Sequence, residues 1–169
     1  MIILETDRLI LREVTLEDDA FVLELLNEPA YLLYIGDKNV RSLEDARKYI
    51  SIGPLASYAK HGYGLWRVAL KSDDTLIGMC GLLKRDGMDQ TDIGYALLAR
   101  YHGRGYAREA ASATLAHARN VFRLGTLQAV TALENPASIG LLEKLGFKFD
   151  RMVELPNYAE PSRLFVLKL

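Results

Sequence analysis

Between Gly64 and Leu133 the chain reads as three short β-type runs, a glycine-containing loop, a long alanine-rich run and a fourth β-type run. LWRVAL, TLIGMCGLLK and TDIGYALLA are separated by KSDD and RDGMDQ, whose residues favour turns, so an antiparallel meander is expected. REAASATLAHARNVF contains no glycine or proline and is rich in the best helix former, so it reads as one long helix. TLQAVTAL then returns as a strand. A strand, a helix and a strand across residues 92–133 suggest one right-handed parallel crossover, which puts parallel and antiparallel pairs in one mixed sheet.

The flanks supply the remaining elements. RLILREV reads as a strand, and Thr15 with Asp18 forms a capping-box pattern before LEDDAFVLELLN, where Leu16, Ala20, Leu23 and Leu26 recur at helical spacing. Pro29 marks the expected stop. AYLLYIGDKNV fits neither period. Ser42 with Asp45 opens a second helix, LEDARKYISIG, which either ends near Gly53-Pro54 or continues irregularly through SYAKHG. Asn135 and Pro136 stand as N-cap and N1 before ASIGLLEKLGF, Gly146 is placed to end that helix, and KFDRMVE and SRLFVLKL finish the chain as strands. The order β-α-α-β-β-β-α-β-α-β-β is that of a mixed α/β (α+β) fold. With half of its 169 residues hydrophobic, the chain is expected to form a single domain over 1–169.

Charge and special residues narrow the function. The formal net charge of −1, from 21 basic and 22 acidic residues, gives no general attraction for nucleic acid or an anionic membrane, so any anion site must be local. The one cysteine, Cys80, lies in an apolar run and reads as a small core residue, and a disulfide framework is excluded by count. His61, His102 and His117 make no i,i+4 pair, so no metal site is expected. No apolar run approaches the ~20 residues that span a bilayer, and MIILETDRL has acids where a signal peptide carries positive charge. A soluble, cytoplasmic protein is expected. Trp66 and Val68 alternate with Arg67 and read as core.

The local anion site is RYHGRGYAREA, residues 100–110, between a strand and a helix. Amides at a helix start have no intrahelical partner and the helix dipole favours negative charge there. Gly103 and Gly105 let a phosphate approach the main chain, and Arg104 and Arg108 offer charge-assisted hydrogen bonds. A plain strand-to-helix turn with solvated arginines is the alternative. A dinucleotide fingerprint fails because Arg108 stands where a third small residue is required, and a P-loop fails because Tyr106 and Ala107 follow Gly105.

The run from His102 to Ala107 resembles the acyl-CoA signature of the GNAT N-acetyltransferases, and here too it follows a TDIGYALL strand. ETDRLILRE, the IGY strand, GRGYAREA and ENPASIGLLEKLGF together resemble the subfamily that includes ribosomal-protein alanine N-acetyltransferases. The resemblance implies a mostly antiparallel central sheet with helices on both faces and acetyl-CoA as co-substrate. It implies that Gly103, Arg104, Gly105, Tyr106, Ala107 and Arg108 wrap the pyrophosphate, that the backbone of Tyr95, Ala96 and Leu97 pairs with pantetheine, and that Asn135 adds a cofactor contact. At His102 the family more often has glutamine or arginine.

By the same resemblance Asp92 is the candidate base or substrate-amine anchor, and a solvated strand-end carboxylate is the alternative. The usual tyrosine acid is absent, since Leu142 stands seven residues after Asn135. Ser138 of Asn135-Pro136-Ala137-Ser138 is the candidate donor to the CoA sulfur, although a serine at N3 also serves a free helix amide. Tyr31 and Tyr34 either border the acceptor pocket or pack between helices. The expected activity is direct acetyl transfer to a primary amine in a ternary complex, the preferred acceptor being a protein N-terminal α-amine. A small-molecule amine such as an antibiotic or polyamine, and a CoA-binding module without catalysis, are the alternatives. Acetyl-CoA and the amine are the expected partners, with no nucleic acid, membrane or metal, for a monomer or homodimer.

Overall fold

The computed structural model describes residues 1–156 and 158–169. The strands are β1 (Ile2–Glu5), β2 (Leu9–Glu13), β3 (Leu65–Leu70), β4 (Leu76–Leu83), β5 (Asp92–Leu97), β6 (Thr126–Thr131), β7 (Lys148–Val153) and β8 (Ser162–Lys168). The helices are α1 (Asp19–Leu26), α2 (Pro29–Tyr34), α3 (Leu43–Ile50), α4 (Ala56–His61), α5 (Tyr106–Asn120) and α6 (Pro136–Lys144). All strands join one sheet in the order β1-β2-β3-β4-β5-β6-β8-β7. Every pairing is antiparallel except β5 with β6, the pair that α5 connects.

β4 explains why helices cover both faces. LIGMCGLL is buried along nearly its whole length, as a strand covered on both sides must be. Side chains alternate across a strand, so Met79 joins Val22, Leu25, Ala46 and Ile50 of α1 and α3, while Cys80 and Leu82 join Ala110, Ala111 and Ala118 of α5. Trp66 is 1% exposed on the α5 side. The alanines bring α5 close to the sheet, and its buried Thr114 is satisfied by donating to the Ala110 carbonyl at 2.9 Å. Burial pushes the Cys80 thiol up to about 12, so it stays protonated and serves as core.

Three local findings sharpen the expected boundaries. α1 ends at Leu26, ahead of Pro29 as expected, and Pro29 then starts a further helix, α2, at N1, where its missing N–H costs nothing. α3 runs through a π-helical turn, Ser51–Leu55, into α4, and Pro54 lies within that wide turn. The four residues of β1 add an edge strand before the first expected one.

Buried charge fixes the start of α1 to the sheet. Asp18, 4% exposed, accepts from Arg67 Nη1 at 2.6 Å through Oδ1 and from the Thr15 amide at 2.8 Å through Oδ2. Asp18→Ala removes the cap and leaves Arg67 without its counter-charge. It should cost about 3 kcal/mol of stability, read as a lower urea midpoint at constant m-value; a change below ~1 kcal/mol would show that solvent replaces the pair.

Candidate active site

The parallel pair β5–β6 is held at a single register position, Asp92 opposite Gln128, where the Gln128 amide donates to the Thr91 carbonyl at 2.9 Å. Beyond it the strands part, and β6 remains paired to β8 from Thr126–Lys168 through Thr131–Arg163. The β6-side edge of β5 from Ile93 to Leu97 is thereby left without a strand partner among the described residues. A cavity of about 610 Å³ fills the split, which is within the usual size of ligand sites. It follows β5 from Arg85 and Ile93 to the loop at Gly103–Arg108, about 17 Å for the length of the strand.

At the loop end, Gly103 and Gly105 have φ of 73° and 80°, the left-handed region in which a side chain is strained. Gly105 is the N-cap of α5, so the unpartnered first amides of the helix, at Tyr106, Ala107 and Arg108, belong to residues that line the cavity. A Cβ on Gly103 would meet nothing within 4 Å, so the space above the loop is open. Arg108 lines the cavity. Arg104 does not; its guanidinium lies 5.7 Å from the Tyr101 ring centre. His102 Nε2 lies 2.9 Å from the Leu97 carbonyl, which ties its ring to the end of β5.

A brace behind the loop comes from the opposite end of the chain. Arg8, in the turn between β1 and β2, donates through Nη1 to the Arg104 carbonyl at 3.0 Å and pairs with Glu109 at 2.6 Å. Its guanidinium lies 4.4 Å from the Tyr106 ring centre. The Thr6 hydroxyl donates to the same glutamate at 2.6 Å.

Across the split, Asn135 caps α6 by accepting from the Ser138 amide at 3.3 Å, which leaves the Ser138 hydroxyl for other work. Ser138 Oγ lies 2.8 Å from the Tyr95 hydroxyl. Burial pushes that phenol up to about 12, so it is protonated at neutral pH and able to donate to Ser138. Both residues line the cavity.

At the far end, Asp92 is 0% exposed and is not in the cavity wall. Arg85 Nε donates to its Oδ2 at 2.8 Å, and Arg85 Nη1 donates to the Tyr158 hydroxyl at 2.8 Å. Oδ1 is buried with no hydrogen-bond partner among the described residues. Burial raises the Asp92 carboxyl to about 6, outweighing the lowering by Arg85. Asp92 therefore reaches the cavity only through Arg85, which does line it, together with Tyr31, Tyr34 and Tyr49.

Residues 8–148 match the family model for the acetyltransferase (GNAT) domain. The chain belongs to the GNAT acetyltransferases. The uncharacterized N-acetyltransferase YoaA of Bacillus subtilis (strain 168) is 30% identical over 147 residues, 86% of this chain and 82% of that protein. Among solved structures, the ribosomal L7/L12 α-N-protein acetyltransferase RimL in complex with coenzyme A superposes with a TM-score of 0.83 at 16% identity, over 100% of this chain and 98% of that one. A spermidine N-acetyltransferase SpeG chimera from Vibrio cholerae and hSSAT superposes with a TM-score of 0.76 at 18% identity, over 95% of each chain. GNAT proteins use acetyl-CoA, and the split strand, the open glycine loop and the free helix amides of this GNAT domain fit a long ligand with a diphosphate at one end.

The sequence reading of this GNAT chain missed Arg8, Arg85, Tyr158 and the Tyr95 hydroxyl as parts of the site. Arg85 stood in a segment read only as a turn, and Arg8 meets Glu109 across 101 positions, which no local pattern reveals. Two predictions follow from the two ends of the cavity. Gly105→Asp should weaken CoA binding by calorimetry by at least roughly tenfold, with an unchanged circular dichroism spectrum; equal affinity would remove the loop from the diphosphate site. Because the folded-state value of Asp92 lies above its unfolded value, its contribution to stability is full below about pH 4 and is lost as pH rises through about 6. The stability of the protein relative to Asp92→Asn should fall by roughly 2 kcal/mol between pH 4 and pH 7 in chemical denaturation, and a flat difference would contradict the burial of the charge.

Proposed function

We propose that the protein binds acetyl-CoA along β5 and transfers the acetyl group directly to a primary amine, with a protein N-terminal α-amine as the preferred acceptor. The observation that carries this reading is the unpaired edge of β5 leading straight to the glycine loop at Gly103–Gly105. The backbone of Tyr95, Ala96 and Leu97 holds the pantetheine arm, and the amides from Gly103 to Arg108 hold the pyrophosphate, with Asn135 at the α6 side. Acetyl-CoA, when bound, supplies an activated acyl thioester.

The amine nitrogen bonds to the acetyl carbon as the carbon–sulfur bond breaks; the amine gives up a proton and the departing sulfur takes one. Ser138 donates that second proton. Tyr95 donates to Ser138 Oγ, which turns the serine proton away from the tyrosine and toward the cavity; as the serine proton passes to the sulfur the tyrosine proton passes to the serine, and the tyrosine takes a proton back from solvent through the cavity before the next turnover. Since no carboxylate is in the cavity wall among the described residues, the proton of the amine passes to solvent. Asp92 acts as a positioning residue: its carboxylate fixes Arg85 at the acceptor end. A small-molecule amine is the second reading, favoured by the enclosure of that end by Tyr31, 8% exposed, and Tyr49.

Thiol release from acetyl-CoA, measured with N-terminal peptides and with small amines, tests the reading. Turnover on peptides above small amines is expected, the reverse order selects the second reading, and tight CoA binding without turnover on any amine overturns both. Ser138→Ala should lower kcat roughly 10- to 100-fold with little change in KM for acetyl-CoA. Tyr95→Phe should act in the same direction and add little to the serine variant. Equal kcat in Ser138→Ala would leave the serine a helix residue only.

A further inference from the structure

We infer that the acceptor end of the cavity takes an amine bearing a carboxylate close to it, and that Lys38 and Arg85 recognise that carboxylate. The inference rests on the acetyl-transfer reading above and adds the chemical class of the acceptor. Its basis is the charge of the wall. The charged side chains lining the cavity are Lys38, Arg85 and Arg108, with His102 beside them, and no aspartate or glutamate is present among the described residues. Arg108 and His102 belong to the loop end. Lys38 and Arg85 remain, at the other end of β5.

These two cations are set around one tyrosine. Arg85 Nη1 donates to the Tyr158 hydroxyl at 2.8 Å, and Lys38 Nζ lies 6.0 Å from the centre of the same ring. Arg85 commits Nε to Asp92 and Nη1 to Tyr158, and its Nη2 has no partner among the described residues. Lys38 makes no ion pair among the described residues, and the adjacent Asp37 is taken by Arg41 at 2.5 Å. Asp92 holds Arg85 from behind through Nε alone, where the carboxylate is 0% exposed, so the guanidinium and not the carboxylate is presented to the ligand. Tyr31 adds no negative charge, because burial holds its phenol above the ordinary value.

An acceptor with a second ammonium group would bring like charges together at this end of the cavity, which is unfavourable. A carboxylate would instead accept charge-assisted hydrogen bonds from the guanidinium and the ammonium. Its source is either the side chain of an acidic residue after a peptide α-amine or the α-carboxylate of a free amino acid; both present the same chemistry to Lys38 and Arg85.

The experiment compares kcat/KM by thiol release for the amidated tetrapeptides AEAA, AQAA and AKAA, for alanine against alaninamide, and for spermidine. The carboxylate member of at least one set should exceed its neutral amide by roughly tenfold or more, with AKAA and spermidine poorest. The set that shows the preference identifies the source of the carboxylate. Lys38→Glu, at an exposed position, should reverse the order; an order that survives it overturns the assignment of Lys38. Neutral or basic acceptors matching the acidic ones in every set overturn the inference. Should no amine be turned over, calorimetry on the CoA-bound protein separates the two readings. AEAA or alanine binding above its amide upholds the carboxylate site while acetyl transfer falls, and equal or absent binding overturns the site as well.

Discussion

The site depends on how firmly β5 and β6 are joined at one point and on their separation everywhere else. Gln128, 4% exposed, makes that joint a polar rivet: its amide donates to the Thr91 carbonyl, its Nε2 donates to Asp89 Oδ1 at 2.9 Å, and its Oε1 accepts from the Gln90 amide at 3.3 Å. Tyr63 and Thr91 hydroxyls, 2.7 Å apart, close the same corner. β4 holds the other edge of β5 along its length, from Gly78–Leu97 to Leu83–Asp92. A strand held along one edge and released along the other keeps a fixed row of backbone groups for a ligand without itself being flexible.

The rivet also places the buried charge. Asp92 is opposite Gln128 and has no route to water, so its carboxylate is tolerated only with Arg85 against it. That requirement sets the guanidinium in the cavity wall, where it also donates to the Tyr158 hydroxyl. The cavity thus has unpartnered main-chain amides at its α5 end and the side-chain cations Lys38 and Arg85 at the other. Between them the Tyr95–Ser138 pair spans from β5 to α6, so the split is bridged by a proton-bearing contact and not by strand pairing.

What the sequence discloses follows the range of the interactions. Asn135 and Ser42 act over three residues, and both are N-caps whose side chains accept from the amide three positions on. The two glycines of the loop are a local requirement of the left-handed backbone, and they too were legible. Pro29 was ambiguous in principle, because the same ring that interrupts a helix is favoured at the first position of another. The place of β8 between β6 and β7 depends on which strands can pair after the chain has turned back, which no local period encodes. Asp92 was legible as a chemical residue, but its orientation away from the cavity depends on Arg85 and on burial, neither visible in TDIGYALLA.

Arg8 shows why distant residues belong in the description of the loop. A site that binds through amides gains most when its backbone is already fixed, since any ordering on binding subtracts from affinity. Glycines at 103 and 105 supply the left-handed turns but also the largest conformational freedom in the unbound chain. Arg8 opposes that freedom from outside: it holds the Arg104 carbonyl between the two glycines and anchors to Glu109, which lies in the first turn of α5. The convergence of Nε and Nη2 on Glu109 Oε2 and the placement of the guanidinium over the Tyr106 ring use its planar shape in a way that a lysine would not reproduce. Arg8 thus supports the glycine loop by turning its charge toward a glutamate and its geometry toward the backbone.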